Sequence, residues 1–310
     1  MNEFELIACL TRGLPVPAGV ITGVGDDCAV LDLGVPGQYF LLKTDAVVEH
    51  VHFTPETPSE KVGHKALARC LSDIAAMAGT PLHALITLGL PPQHEVSRIE
   101  AMYQGLRACA ERHQVAIVGG ETTTSTSGIW ISVALLGRVE SSRVVHRRGA
   151  QVGDALFVTG ELGGSLSGKH LDFEPRLKEA RWLAEHFSPR AMIDLSDGLA
   201  GDLRHLLQAG NLGAELLAEA IPISRAARLR FREQPGAKPP LEAALSDGED
   251  FELLFAVPPQ KAVALVDAWK AAFPQLKLTC IGKITAEPGI RIRRRKSVQP
   301  LELHGYEHFA

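Results

Sequence analysis

No apolar run in this sequence approaches the roughly 18 residues that a membrane-crossing helix requires, so no membrane span is expected. Its five cysteines (Cys9, Cys28, Cys70, Cys109 and Cys280) are odd in number and scattered, without a CxxC pair. That spacing argues against a disulfide framework and a zinc ribbon, and it fits a reducing cytoplasm. Basic charge is not in excess either. With a net charge of −4, the chain has no general electrostatic attraction for nucleic acid or for an anionic membrane. The opening stretch MNEFELIACLTRGL is an acidic amphipathic helix without the basic flank and small-residue cleavage site of a signal peptide. The single basic run, Arg291 to Lys296 in GIRIRRRKSVQPLEL, reads as an exposed hairpin edge guarded by positive side chains against mispairing.

What is present is a long alternation of strand-like and helix-like segments, which predicts a mixed α/β fold. At 310 residues the chain exceeds the roughly 250–300 at which single cores stop growing, so two domains are expected. Helical periodicity is clearest at about 59–79, 95–113, 176–187, 198–210 and 259–273. ITGVG, CAVLDL, YFLLKTDAV, HALITLGL, QVAIVGG and GIWISVALLGRV read as strands of the first half, and DALFVTG, AMIDL, FELLFAV, CIGKI and GIRIR as strands of the second. Between them RRGAQVGD, polar and glycine-containing, predicts a boundary that leaves residues 1–148 as one domain and 149–310 as the other. REQPGAKPP (232–240) reads as an exposed loop.

Acids recur at the breaks of this pattern: Gly25-Asp26-Asp27, Thr44-Asp45, Gly119-Gly120-Glu121 and Asp194-Leu195-Ser196-Asp197-Gly198. Each adjoins a strand-like run, which predicts carboxylates delivered at strand ends. Asp73 instead interrupts the apolar helix LARCLSDIAAM, sharing a face with Cys70 and Met77, so it must be capped by a neighbour or bound to a cation. Two carboxylates about 4 Å apart repel by roughly 4 kcal/mol at an effective dielectric near 20. Divalent ions would remove that cost, and oxygen donors without a His/Cys cluster point to magnesium rather than zinc. Taken singly, Asp26-Asp27, Glu121 and Glu249-Asp250 also fit ordinary turns, Arg147-Arg148 a solvated linker, and His50 and His52 structural positions on a strand. Gly163-Gly164-Ser165-Leu166-Ser167-Gly168-Lys169-His170 nearly spells a phosphate-binding P-loop, but His170 stands where a magnesium-ligating Ser or Thr is needed. Its Gly-Gly-Ser turn could still offer backbone N–H groups to an anion.

Taken together, GVGDDCAVL, TDAVVEHVHF, KALARCLSDIAAMAGTP, VGGETT, RRGAQVGDALFVTG, AMIDLSDGLAGDL and DGEDFELLF, with a GYEHF-like tail, resemble the thiamine-monophosphate kinase family in order and over nearly the whole chain. That family shares a superfamily with aminoimidazole ribonucleotide synthetase and selenophosphate synthetase. The resemblance implies a two-domain PurM-like α/β (α+β) fold. Its N-terminal domain would pair across a homodimer to close a barrel, and ATP would bind at the cleft. By the same resemblance Asp27, Thr44, Asp45, Asp73, Glu121 and Asp194 are matched to magnesium ligands, with Asp197 beside a further cation. Gly120, Glu121, Arg147 and Ser196 are matched to ATP contacts, and His52 and Glu249 to contacts with the thiamine substrate. Leu303 falls where an aromatic residue can stack on the substrate ring. Lys43, Glu121, Asp247 and Leu303 depart from the family's commonest residues.

The reaction so implied is transfer of the γ-phosphoryl group of ATP to thiamine monophosphate, assisted by several magnesium ions, with Asp45, Asp73 and Asp194 as the central charges. Phosphoryl transfer depends mostly on positioning and charge neutralisation, so no side-chain nucleophile is required. Two other readings stay open: an ATP-dependent synthetase of the same superfamily, and a non-catalytic magnesium–nucleotide-binding protein.

Overall fold

The computed structural model describes residues 3–295, 297–303, 305 and 306. Two compact units emerge. One comprises Gly19–Val144 with His170–Leu177, and the other Val145–Lys169 with the residues from Lys178 onward and those up to Ala18. Helix α1 (Glu3–Thr11) belongs to the second unit. Among the described residues no helix is long and apolar enough to cross a membrane.

The first, N-terminal unit is built on six strands: β1 (Val20–Thr22), β2 (Ala29–Leu31), β3 (Gln38–Val48), β4 (Thr80–Leu90), β5 (Ala116–Thr124) and β6 (Trp130–Glu140). They lie in the order β1-β2-β3-β6-β4-β5. β3 and β6 pair antiparallel along their whole length, from Gln38↔Glu140 to Val48↔Trp130, while β4 and β5 run parallel. Side chains alternate as a pleated strand requires: Ile131, Val133, Leu135 and Val139 of β6 are buried and their neighbours are not. The buried face receives α2 (Ser59–Ala76), and α3 (Val96–Arg112) packs on α2. The two helices meet backbone to backbone, for a Cβ on Gly63 would stand 1.7 Å from the Met102 carbonyl oxygen and one on Gly105 1.8 Å from that of Glu60. The opposite face is open. Leu42 and Leu85 point outward there, and Val118 on the edge strand β5 is 59% exposed.

Helix α4 (Lys169–Asp172) belongs from His170 onward to the first unit; the second, C-terminal unit contains β7 (Ala155–Thr159), α5 (Leu177–His186), β8 (Ala191–Asp194), α6 (Leu199–Gln208) and β9 (Gly213–Leu217). It continues with α7 (Arg225–Glu233), α8 (Pro240–Ser246), β10 (Leu253–Val257), α9 (Ala262–Ala272), β11 (Leu278–Thr285), β12 (Gly289–Arg294) and β13 (Ser297–Pro300). Its sheet runs β13-β12-β9-β11-β7-β10-β8, antiparallel except between β9 and β12. Every residue of β7, β8 and β10 is buried, the mark of strands covered on both faces. On one face Leu156, Ile193, Leu254 and Ile281 pack with Leu203 and Leu206 of α6 and Leu245 of α8. From the other side of β7 and β10, Phe157 and Phe255 stack with ring centroids 5.8 Å apart.

Strands arise from all the segments expected to form them, and helices from all five expected segments. α7, α8, β9 and β13 were not foreseen. α7 carries four arginines and buries only Ala227, so it has no apolar stripe to detect. Between α7 and α8, residues 234–239 form the expected loop. The reading of the basic run as an edge needs correction: β12 pairs with β9 on one side and β13 on the other, and Arg293 grips both carboxylate oxygens of Glu215 at 2.9 Å. Lys296 lies outside the described residues.

Candidate functional site

In the N-terminal unit Asp26 and Asp27 lie between strands β1 and β2 as expected, but the other acids do not sit at strand ends. Thr44 and Asp45 lie within β3, and Gly120 and Glu121 within β5. A strand sends neighbouring side chains to opposite faces. Lys43 and Asp45 therefore share the face of Leu41 and Val47, toward α2, while Thr44 turns to the other face, its hydroxyl 3.5 Å from that of Ser132. The Thr44 hydroxyl and the Asp45 carboxylate are therefore on opposite faces of β3.

Two basic side chains meet the inward acids. Lys43 Nζ donates to Asp73 Oδ1 at 2.7 Å, and Arg69 Nε to Asp45 Oδ2 at 3.1 Å. Asp73 is thus capped by a neighbour. Burial pulls the Lys43 pKa down, yet the charges of Asp73 and Asp45 and the hydrogen bond to Asp73 outweigh it, and the ammonium is held above the usual lysine range. Asp27, buried between β1 and β2, brings a carboxylate oxygen within 4.8 Å of one from Asp73. The next residue, Cys28, donates its N–H to Met77 Sδ at 3.2 Å, which ties this loop to the end of α2. Burial first, then the charge of Asp73, drives the Cys28 thiol well up; burial, then Asp45 and Asp73, does the same to Cys70. Both remain thiols, so the donors on offer are carboxylate oxygens, which suit magnesium.

The remaining N-terminal candidates are fixed by main-chain geometry. Gly120 faces Ile86 across the β4–β5 ladder so closely that a Cβ would lie 1.8 Å from the Ile86 carbonyl oxygen. Beside it Glu121 is exposed. His52 accepts the Val48 N–H at Nδ1 (3.1 Å), and its carbonyl receives Lys65 Nζ (2.8 Å), which orients the ring.

In the C-terminal unit Asp194 does end its strand, β8, and is only 3% exposed. Ser196 and Asp197 follow and lead into α6, where the Asp197 N–H donates to Asp202 Oδ2 at 3.1 Å. Asp202 is raised well above an ordinary carboxylate, by burial first and then by the charges of Asp197 and Asp194, against a downward pull from Arg147. It was not among the candidates, although it falls on the buried stripe Leu199, Asp202, Leu203, Leu206, a position where a charge signals a partner or a task. Nearby His205 is held neutral: burial and then Arg147 depress its pKa to about 4.

Glu249 has φ +54°, a left-handed conformation rare for a side-chain-bearing residue and commonest at sites that hold ligands. It is pinned by its N–H to the Ser196 carbonyl (2.7 Å), while its own carbonyl accepts from Ser165 Oγ (2.6 Å). Asp250 receives the Gly163 N–H at 2.9 and 3.1 Å, and Glu252 receives Lys169 Nζ at 2.7 Å. The Gly-Gly-Ser turn therefore spends its first N–H on a protein carboxylate, and the lysine of the near-P-loop on another. Asp247 is bound by Arg230 and Lys238. Leu303 packs partly buried against the apolar core, with its carbonyl held by Arg204 at 2.6 Å. Tyr306 donates its N–H to the Asp197 carbonyl (2.9 Å); the rest of the GYEHF-like tail, from Glu307, lies outside the described residues.

Two family models match this architecture: the N-terminal domain of AIR synthase related proteins over residues 25–139 and the C-terminal domain over residues 151–295. The fold is thus of the two-domain PurM-like class. The chain is 43% identical over 289 residues to the thiamine-monophosphate kinase of Rhodopirellula baltica, covering 90% of this chain and 87% of that one. To the thiamine-monophosphate kinase of Aquifex aeolicus it is 34% identical over 329 residues, covering 100% and 98%. It matches the structure of AaThiL complexed with AMPPCP and TMP with a TM-score of 0.84 and 32% identity, over 99% of this chain and 97% of that one. The chain belongs to the thiamine-monophosphate kinase family.

Proposed function

We propose that this chain phosphorylates thiamine monophosphate to thiamine diphosphate by direct in-line attack of the acceptor phosphate on the γ-phosphorus of ATP. The observation that carries the reading is a pair of buried carboxylates, Asp27 and Asp73, with oxygens within 4.8 Å of each other in a chain of this family. Bound magnesium would neutralise phosphate charge; in the N-terminal unit Asp27, Asp45, Asp73 and the exposed Glu121 are its candidate ligands, and in the C-terminal unit Asp194, with Asp197 beside a further ion. Thr44 offers its hydroxyl on the same open face of the sheet as Glu121.

The protein's own part is positioning. Gly120, Glu121, Arg147 and Ser196 are assigned to ATP. His52, with its ring oriented by Val48, and Glu249, in its pinned left-handed turn, are assigned to the thiamine moiety; Leu303 can offer it only what the core leaves exposed. A phosphate monoester is already largely ionised near neutral pH, so no strong general base is needed. The outward leucines of the N-terminal sheet and the exposed edge strand β5 favour a homodimer through this unit, which Val118→Asp should weaken in light scattering. Scattered free cysteines favour the cytoplasm.

The test is incubation of the purified protein with ATP, magnesium and thiamine monophosphate. Equal amounts of thiamine diphosphate and ADP should form, thiamine itself should be a very poor acceptor, and no labelled γ-phosphate should stay on the denatured protein. ADP without thiamine diphosphate, or a phosphorylated protein, would overturn the reading.

A further inference from the structure

We propose that Lys43 and Arg69 are built-in counter-ions of the N-terminal acidic cluster and take the place of one divalent cation, so that the chain loads fewer metal ions than its carboxylates alone would hold. The inference rests on the magnesium-assisted reading above. Lys43 and Asp45 are two apart on one face of β3, and Arg69 and Asp73 are four apart on one face of α2. Two residues of strand span about 6.8 Å and four of helix about 6 Å, so the two pairs face each other in register. They meet crosswise, Lys43 on Asp73 and Arg69 on Asp45, which sets the four charges in alternating sign.

These are not solvated surface pairs. The Lys43 and Asp73 side chains are 22% and 8% exposed, and those of Arg69 and Asp45 15% and 21%. Asp45 and Asp73 are each matched by one cation, and Lys43 and Arg69 together supply two positive charges, the charge of a single magnesium ion. Asp73 Oδ1 and Asp45 Oδ2 are each already within hydrogen-bond reach of a cation. A metal approaching either oxygen must displace that side chain or sit against a like charge. A purely structural pair would leave the cluster's metal capacity unchanged, and that difference is measurable.

The experiment counts Mn2+ bound per chain by electron paramagnetic resonance of the free ion, with a non-hydrolysable ATP analogue and thiamine monophosphate present. Lys43→Met should bind one Mn2+ more than the parent, or bind its first Mn2+ about tenfold more tightly, while Lys43→Arg should match the parent. Equal counts and affinities in the parent and Lys43→Met would overturn the proposal. Should Lys43→Met fail to fold, Lys43→Gln gives the same test: it too should bind one Mn2+ more than the parent or bind its first about tenfold more tightly, and a count and affinity equal to the parent's would overturn the proposal. Absence of thiamine diphosphate formation by the parent would strike the kinase reading instead, and leave these counts to be judged separately.

Discussion

The two units carry their acids in different ways. In the N-terminal unit Asp45 and Asp73 are ion-paired, with Arg69 and Lys43 lying directly on them. In the C-terminal unit Asp202 and Asp250 are driven toward the protonated form, chiefly by burial; Asp250 reaches about 7 although it accepts the Gly163 N–H. The sheets differ in parallel. The N-terminal sheet has helices on one face and leaves Leu42 and Leu85 exposed on the other, whereas β7, β8 and β10 are buried throughout. A half-covered sheet can place long basic side chains beside its acids at the margin of the core. In the doubly covered unit Glu252 and Asp247 are likewise paired, with Lys169 and Arg230, whereas Asp202 and Asp250 respond to desolvation by holding protons.

The largest expected effect tests whether both kinds of acid serve the reaction. Asp45→Asn and Asp194→Asn should each lower turnover in thiamine diphosphate formation at least about a hundredfold, comparable with losing one preorganised charge, and leave the circular dichroism spectrum unchanged. Normal turnover in either variant would confine catalysis to one unit.

Next comes the proton-holding side of the comparison. The folded-state pKa of Asp250 is raised from 3.8 to about 7, so its stabilising contribution is complete below about pH 4 and is lost as pH rises through 7. Asp250→Asn keeps an acceptor for Gly163 but does not titrate. Between pH 4 and 8 the parent should lose about 2–4 kcal/mol relative to this variant in urea unfolding. Parallel pH profiles would show that Asp250 stays ionised.

For the ion-paired side, Asp73→Asn in the presence of a chelator should destabilise the chain by about 2 kcal/mol, because it strips Lys43 of its partner in a mostly buried setting. The double variant Lys43→Met/Asp73→Asn should recover part of that loss. A gain in thermal stability from Asp73→Asn alone would mean that Asp73 is a repelled charge and not a paired one. The smallest effect concerns His205, whose pKa is depressed from 6.5 to about 4. Its contribution is present above pH 6.5 and lost as pH falls through 4, so His205→Asn should lessen the acid destabilisation of the melting curve by about 1–2 kcal/mol.

Alternation of apolar segments with acid-bearing breaks was enough to predict a mixed α/β chain, its principal helices and strands, and the acids worth watching. Periodicity of 2 and 3.6 is a local property, and strands such as β6 and helices such as α2 display it openly. The local order of the motifs likewise carried the family resemblance. α7 was hidden because it buries only Ala227 and so shows no apolar stripe.

Distances between segments far apart in sequence were beyond that reach. Asp73 in an apolar helix demanded a partner, but that the partner is Lys43, 30 positions earlier, follows only from β3 laying its inward face on α2. The same packing gave Asp45 to Arg69. In the other unit Gly163 and Asp250, 87 positions apart, were joined when the Gly-Gly-Ser turn met the loop before β10. Sequence by itself determined which residues can carry charge and which elements hold them, because propensity and periodicity act over a few residues. Tertiary structure alone decided which charge each one faces, because Coulomb interaction and desolvation depend on through-space distance and burial, which only the packed chain defines.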